Sequence, residues 1–222
     1  MNPKQLLDWN QIDTVLLDMD GTLLDLHFDH HFWMHTVPEA YAYKKHISIR
    51  SAMAKIHKEI NSHAGTLNWY CLDFWSEKLG LNIAELKRGF KDDIAVHPEV
   101  LEFLAALRAH DKKVVMVTNA HRDSLALKLE MTEIGRYFHT MISAHDLGIP
   151  KEDIRIWSEI QHIEPYDPSR TMLIDDNLKA LTTAQQYGIA IPMCATYVSP
   201  KLSKIDPQGF PFFENYLEIM PR

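Results

Sequence analysis

Short, almost wholly apolar runs alternate with longer stretches in which apolar residues recur every three or four positions. The first run, Val15-Leu16-Leu17, predicts a strand; further runs predict strands over 113–117, 139–143, 171–174 and 189–193. Between them, helical spacing predicts a helix over 98–109 with Leu101, Leu104 and Ala105 on one face and Pro98 in its first turn. Another passes through Leu125 and Leu129, and a third begins near Lys151. A fourth carries Leu178, Leu181 and Ala184 and is closed by Gly188. Strands that are apolar on both faces, separated by helices, imply an α/β fold: a doubly wound parallel sheet covered on each side.

From about residue 26 to 96 this rhythm stops. Ala40, Tyr43 and Ile47, then Met53, Ile56 and Ile60, recur at helix spacing, and Asn82 with Glu85 reads as an N-cap pair. The expected organisation is a core of residues 1–25 plus 97–222, interrupted after its first strand by a helical module at 26–96. The tail 200–222, with four prolines and several aromatics, is expected to pack on the core as a loop and short helix.

Composition narrows the setting. A chain of 222 residues can bury a full core and carry a second small module. Two cysteines, Cys71 and Cys194, make no disulfide framework and point to a reducing, cytoplasmic setting. The start MNPKQLLDWN has no apolar segment of the signal-peptide kind, and no run reaches the length of a membrane span. The net charge of −7, with no Lys/Arg stripe, argues against a nucleic-acid partner.

Asp18 and Asp20 stand where the first strand ends, ahead of Gly21 and Thr22. Residues two apart leave a strand on the same side, so the two carboxylates converge. Like charges that close need a cation between them or a shared proton. An ordinary Asp-Gly turn closing a buried strand would look the same, so the pair alone leaves the question open. Three more features fall at predicted strand or helix ends: Thr118-Asn119, Lys151 after Gly148-Ile149-Pro150, and Asp175-Asp176. Ligands of such sheets sit at the carboxyl ends of strands, beside the point where strand order reverses.

In order, these are a D-x-D-G-T turn, a strand ending in Thr, a Lys at a helix start and a strand ending in Asp-Asp. The series resembles the four motifs of the haloacid dehalogenase superfamily of phosphohydrolases. The resemblance covers 14–193 and implies a Rossmann-like core with a C1-type helical cap over the active site. It makes Asp18 the nucleophile of an aspartyl-phosphate mechanism and Asp20 the general acid and base. Thr118, Asn119 and Lys151 would bind the phosphoryl group. The hard oxygens available suit Mg²⁺: a carboxylate oxygen of Asp18, the carbonyl of Asp20, and Asp175, with Asp176 in a neighbouring or water-mediated position. A dehalogenase has no leaving-group oxygen to protonate, which would leave Asp20 without a role.

The cap run LNWYCLDFWSEKLGL at 67–81, the opening turn and GIPKEDIRIW are similar to bacterial purine 5′-nucleotidases acting on GMP and IMP. The expected activity is thus a Mg²⁺-dependent phosphomonoester hydrolase whose partner is a purine nucleoside monophosphate. A phosphoglycolate or sugar phosphatase is the alternative within the same chemistry, and a phosphomutase the alternative from another class. Trp69 is the candidate for stacking on the base and Asp73 for reading the guanine edge, although aromatics at helical spacing, such as Trp33, Tyr70, Phe74 and Trp75, usually form core. His27, His31 and His35 have the i, i+4 spacing of metal ligands. No further ligand accompanies them, and the expected reading is a structural face.

Overall fold

A computed structural model describes residues 7–221; the first six residues, on which part of the leader reading rests, and Arg222 lie outside the described residues. Strand β1 (Thr14–Leu17) is followed by helix α1 (His27–His31), a π-helical stretch (Phe32–Thr36), and helices α2 (Val37–Lys45), α3 (Ile49–Ser62), α4 (Leu67–Tyr70), α5 (Leu72–Leu79) and α6 (Ile83–Arg88). Then come α7 (Val100–Ala109), β2 (Lys113–Thr118), α8 (Arg122–Thr132), β3 (Thr140–Ser143), α9 (Ala144–Leu147) and α10 (Arg155–Ile163). The chain closes with β4 (Thr171–Asp175), α11 (Leu178–Tyr187), β5 (Ile191–Ala195) and β6 (Phe212–Phe213).

The six strands form one sheet in the order β3-β2-β1-β4-β5-β6, every neighbouring pair parallel. Alternation along each strand assigns the core. Val15, Leu17, Met116, Met172 and Ile174 face one way, onto Val100, Phe103, Leu104 and Leu107 of α7. Leu16, Val115, Val117 and Leu173 face the other way, onto Ile156, Trp157 and Ile160 of α10 and Leu181 and Ala184 of α11. A doubly wound α/β sheet is therefore what the alternation of apolar runs produces. Because β2 and β4 flank β1, with Leu17 in register with both Met116 and Ile174, their carboxyl ends open side by side at the reversal of strand order.

The helices between His27 and Arg88 bury a cluster of their own around Phe32, Tyr41, Ile56, Trp75 and Ile83. Asn82 does cap α6, its side-chain oxygen accepting from the Glu85 N–H at 3.1 Å and its amide donating to Glu85 at 2.9 Å. Gly188, at φ 106°, closes α11. No helix among the described residues is long and apolar enough to cross a membrane.

Several local expectations shift. The inward face of α7 is Val100, Phe103, Leu104 and Leu107, while Leu101 is exposed. That helix starts only at Val100, because Glu99 takes a left-handed φ of 60° and leaves Pro98 in the preceding turn. In α2 the buried residues are Val37, Tyr41 and Ala42, whereas Tyr43 is 86% exposed. The π-helical stretch ahead of it changes the rotation per residue, and His46, at φ 54°, ends the helix before Ile47 can join its face. Lys151 lies in a turn, with α10 starting four residues later. The tail contributes a strand, β6, as well as the short 3₁₀ turn Tyr216–Glu218, and seats Phe213, Tyr216 and Ile219 in the core.

Candidate active site

Past the last residue of β1, the Asp18 N–H continues the ladder by donating to the Ile174 carbonyl at 3.0 Å. Asp18 is thereby fixed beside Asp175, and both are buried. Gly21 turns the chain at φ +82°, a conformation side chains rarely adopt, and a Cβ there would lie 2.5 Å from Asp176 Oδ2. Only glycine lets the D-x-D-G-T turn approach the Asp175-Asp176 end so closely. The tail holds the same turn from behind, where the Tyr216 hydroxyl donates to the Thr22 carbonyl at 2.9 Å.

Lys151 joins the strand ends. Its ammonium, 2% exposed, donates to Asp18 Oδ1 at 2.5 Å and to Asp175 Oδ2 at 2.7 Å. Its position is set by its own N–H, which donates to Asn119 Oδ1 at 2.9 Å. The Asn119 amide in turn donates to Glu152 Oε2, while Glu152 Oε1 accepts from Asn177 and from the Tyr70 hydroxyl, each at 2.8 Å. Thr118 Oγ1 accepts from the Ala120 N–H at 3.0 Å, leaving its own proton to donate.

Charge is unevenly distributed here. One carboxylate oxygen each from Asp18, Asp175 and Asp176 lies within 4.8 Å of the others. Burial pushes Asp18 up to about 6 against the pull of Lys151. Asp176 is driven well above the carboxylate range by burial, then by Asp18 and Asp175. Burial works against the Lys151 charge, but Asp175 and Asp18 outweigh it and raise its pKa. One ammonium among so many carboxylates leaves negative charge unmatched, and the donors are hard oxygens. That set fits Mg²⁺. Asp176, expected in a neighbouring or water-mediated position, has a carboxylate oxygen within 4.8 Å of those of Asp18 and Asp175.

Asp20 belongs to a second buried network. Its Oδ1 accepts from Lys128 at 2.5 Å; Lys128 also reaches Asp29 Oδ2, and Lys87 reaches Asp29 Oδ1, both at 2.5 Å. Burial would raise Asp29, but the two ammonium groups prevail and hold it well below the usual range. Asp20 is raised to about 6 by burial, with Lys128 opposing and Asp29 and Asp18 adding. The sequence reading missed Lys128, Lys87, Asp29 and Glu152, and took Tyr70 only for a core aromatic. A signal exists for the lysines: each sits on its helix's apolar stripe, Lys87 four residues after Ile83 and Lys128 between Leu127 and Leu129 and three after Leu125.

Two cavities meet at this point. One, of about 350 Å³, holds Asp18, Asp20, Thr118, Asn119, Lys151, Asp175 and Asp176 together. The other, of about 220 Å³, is mostly apolar and runs from Asp20 past Leu26, Trp33, Met34 and Leu72. Trp69 and Tyr70 line both. Asp73 lines neither; its side chain is 80% exposed and lies 3.4 Å from His121 Nε2. The His27, His31 and His35 rings stack on one another, with centroids 5.6 and 5.1 Å apart, and the groups of donors close enough to share an ion lie elsewhere among the described residues.

Comparison with known proteins agrees with this arrangement. The model of the haloacid dehalogenase-like hydrolases matches residues 12–188. The chain is 38% identical over 213 residues to the GMP/IMP nucleotidase YrfG of Escherichia coli (strain K12) and, to the same degree, to that of Shigella flexneri, covering 96% of both chains in each case. A haloacid dehalogenase-type phosphatase from Thermococcus onnurineus superposes with a TM-score of 0.78 at 20% identity, over 94% of this chain and 96% of that one, which speaks to the fold. With four motifs gathered at three adjacent strand ends and a family match spanning most of its length, this chain belongs to the haloacid dehalogenase-like hydrolases.

Proposed function

We propose that this hydrolase is a Mg²⁺-dependent phosphomonoesterase that works through an aspartyl-phosphate on Asp18, and that its substrate is a purine nucleoside 5′-monophosphate. The observation that carries the chemistry is the placement of Asp18, Asp20 and Lys151 on one 350 Å³ cavity at the carboxyl ends of β1, β2 and β4. The substrate class rests on the likeness to the GMP/IMP nucleotidases and on the apolar cavity that opens beside Asp20. Residues 26–96 would act as the cap.

In this reading Asp18 attacks phosphorus as the bond to the nucleoside oxygen breaks, and Asp20 gives that oxygen its proton. Asp20 then takes a proton from the water that attacks the aspartyl-phosphate, releasing inorganic phosphate and restoring both carboxyl groups. A carboxyl held near 6 is suited to both transfers at neutral pH. The Thr118 hydroxyl, the Asn119 N–H and the Lys151 ammonium hold the phosphoryl oxygens and offset their charge. Asp18, Asp175 and Asp176, with the Asp20 carbonyl, would hold Mg²⁺, which when bound supplies Lewis-acid neutralisation of the phosphoryl oxygens.

The test is kcat/KM for GMP and IMP against CMP, UMP, phosphoglycolate and hexose phosphates, with inorganic phosphate as readout. A preference of at least about tenfold for the purine monophosphates is expected, equivalent to roughly 1.4 kcal/mol of transition-state binding. No purine preference would overturn the substrate assignment, and isomerised sugar phosphate in place of inorganic phosphate would overturn the hydrolytic one.

A further inference from the structure

A different set of donors lies where the helical module meets the loops after β2 and β3. Cys71 joins α4 to α5 and caps the latter, its Sγ accepting from the Phe74 N–H at 3.4 Å. His121 caps α8, with Nδ1 accepting from the Asp123 N–H at 3.3 Å. Its Nε2 points away from that bond and lies 3.4 Å from Asp73 Oδ2. His145 stands in α9, and its Nε2 is buried with no hydrogen-bond partner. One donor atom from each of these three residues lies within 4.8 Å of the others, and the two rings are 5.1 Å apart.

We propose that Cys71, His121 and His145 form a binding site for a borderline transition-metal ion of the Zn²⁺ type, which pins the helical module to the loop that follows the phosphate-binding residues. A thiolate and two imidazoles are the donors such an ion takes, whereas Mg²⁺ takes oxygen. Zn–S of about 2.3 Å and Zn–N of about 2.0 Å put tetrahedral ligands about 3.3–3.5 Å apart, a separation within the 4.8 Å that already encloses the three donor atoms. Binding displaces the Cys71 thiol proton to solvent, and His121 ligates through Nε2 as the neutral tautomer protonated at Nδ1, which gives up the bond from the Asp123 N–H and turns its proton towards the Asp123 carboxylate, 3.8 Å away. The Asp73 carboxylate, now 3.4 Å from His121 Nε2, is close enough to take the fourth position. The site joins the two modules, because Cys71 comes from the helical insertion and both histidines from the sheet side.

The test is a Co²⁺ titration of the full chain saturated with Mg²⁺, followed by absorption spectroscopy. One Co²⁺ per chain is expected, with a thiolate-to-cobalt charge-transfer band, the intense visible bands of tetrahedral Co²⁺, and displacement by one equivalent of Zn²⁺. Cys71→Ser retains a helix-capping side chain but should remove the charge-transfer band and weaken binding at least about tenfold. His145→Ala should also weaken binding and serves as the second variant, with circular dichroism establishing that each is folded. Absence of the charge-transfer band in the wild type, its survival in Cys71→Ser, or loss of the Co²⁺ signal to added Mg²⁺ would each overturn the proposal. The titration uses no substrate, so its failure leaves the hydrolase reading untouched.

Discussion

The two buried ion networks on either side of the catalytic turn are built oppositely. Around Lys151, one ammonium faces Asp18, Asp175 and Asp176, all supplied by strand ends of the sheet. Around Lys128, two ammonium groups face two carboxylates, and Lys87 comes from the helical insertion. The first network is short of positive charge, the condition of a site that takes up a divalent cation. The second is balanced and needs none. Asp18, the proposed nucleophile, is thus held by the sheet, while Asp20, its proposed acid partner, is tied through Lys128 and Asp29 to the helical insertion.

The largest effect should separate the roles of these networks. Asp18→Asn keeps shape but removes the attacking charge, so phosphate release should fall to background; appreciable turnover would end the covalent reading. Asp20→Asn should cost about 10²- to 10⁴-fold for each proton transfer while leaving Mg²⁺ binding intact, as measured by calorimetry. In the balanced network, Lys128→Met strands Asp20 and leaves Asp29 to Lys87 alone, and breaking a buried pair costs roughly 3–5 kcal/mol. For a chain of this size that corresponds to a Tm lower by about 6–20 °C. An unchanged Tm would mean that the network contributes little to stability.

Charge imbalance gives a second, smaller test. Asp18 and Asp20 are raised to about 6 and Asp176 is raised well above the carboxylate range, whereas unfolded carboxylates titrate near 3.9. These three groups therefore hold more protons in the folded, metal-free protein than in the unfolded chain, while His27, His30, His97 and His145, lowered by burial, hold fewer. The carboxylates' contribution to stability should be present at low pH and lost as pH climbs through 6, whereas the histidines' contribution runs the other way. Mg²⁺ should flatten this slope, adding about 2.7 kcal/mol at a hundredfold excess over its Kd. Calorimetric scans in chelator and in Mg²⁺ would check both; a Mg²⁺-induced rise in Tm no larger at pH 8 than at pH 5 would contradict the assignment.

How these networks escaped the sequence is instructive. Asp18, Thr118 and Asp175 were legible because a strand ends in a definite place and its carboxyl end points at the ligand. Lys87 and Lys128 were not, because a helical lysine is solvated by default and only its position on an apolar stripe says otherwise. Glu152, next to Lys151, belongs to none of the four motifs, yet it holds Asn119, Asn177 and Tyr70 together. Contacts of that kind join residues far apart in the chain, and no local period encodes them. Helix faces were shifted in α2 and α7 for a related reason: the π-helical stretch and the left-handed Glu99 reset the rotation that a simple 3.6 period assumes.

The smallest expected effect concerns the boundary between the two cavities. Trp69 lines both and is 37% exposed, so its ring can meet a base whose phosphate lies against Lys151. Stacking on an aromatic contributes about 1–3 kcal/mol per base, which sets the expected loss in kcat/KM at roughly 5- to 150-fold for Trp69→Ala on GMP. p-Nitrophenyl phosphate, which has no purine, should be spared. Asp73, outside both cavities and 80% exposed, should change GMP turnover far less when replaced by alanine, although it carries the only guanine-edge role the sequence suggested. A large, guanine-selective loss in Asp73→Ala would mean that the cap closes far enough in the substrate complex to bring this carboxylate onto the base. Equal losses on both substrates in Trp69→Ala would assign that ring to holding the helical module together, beside Tyr70 and the Trp75 indole that donates to the Trp69 carbonyl at 3.1 Å.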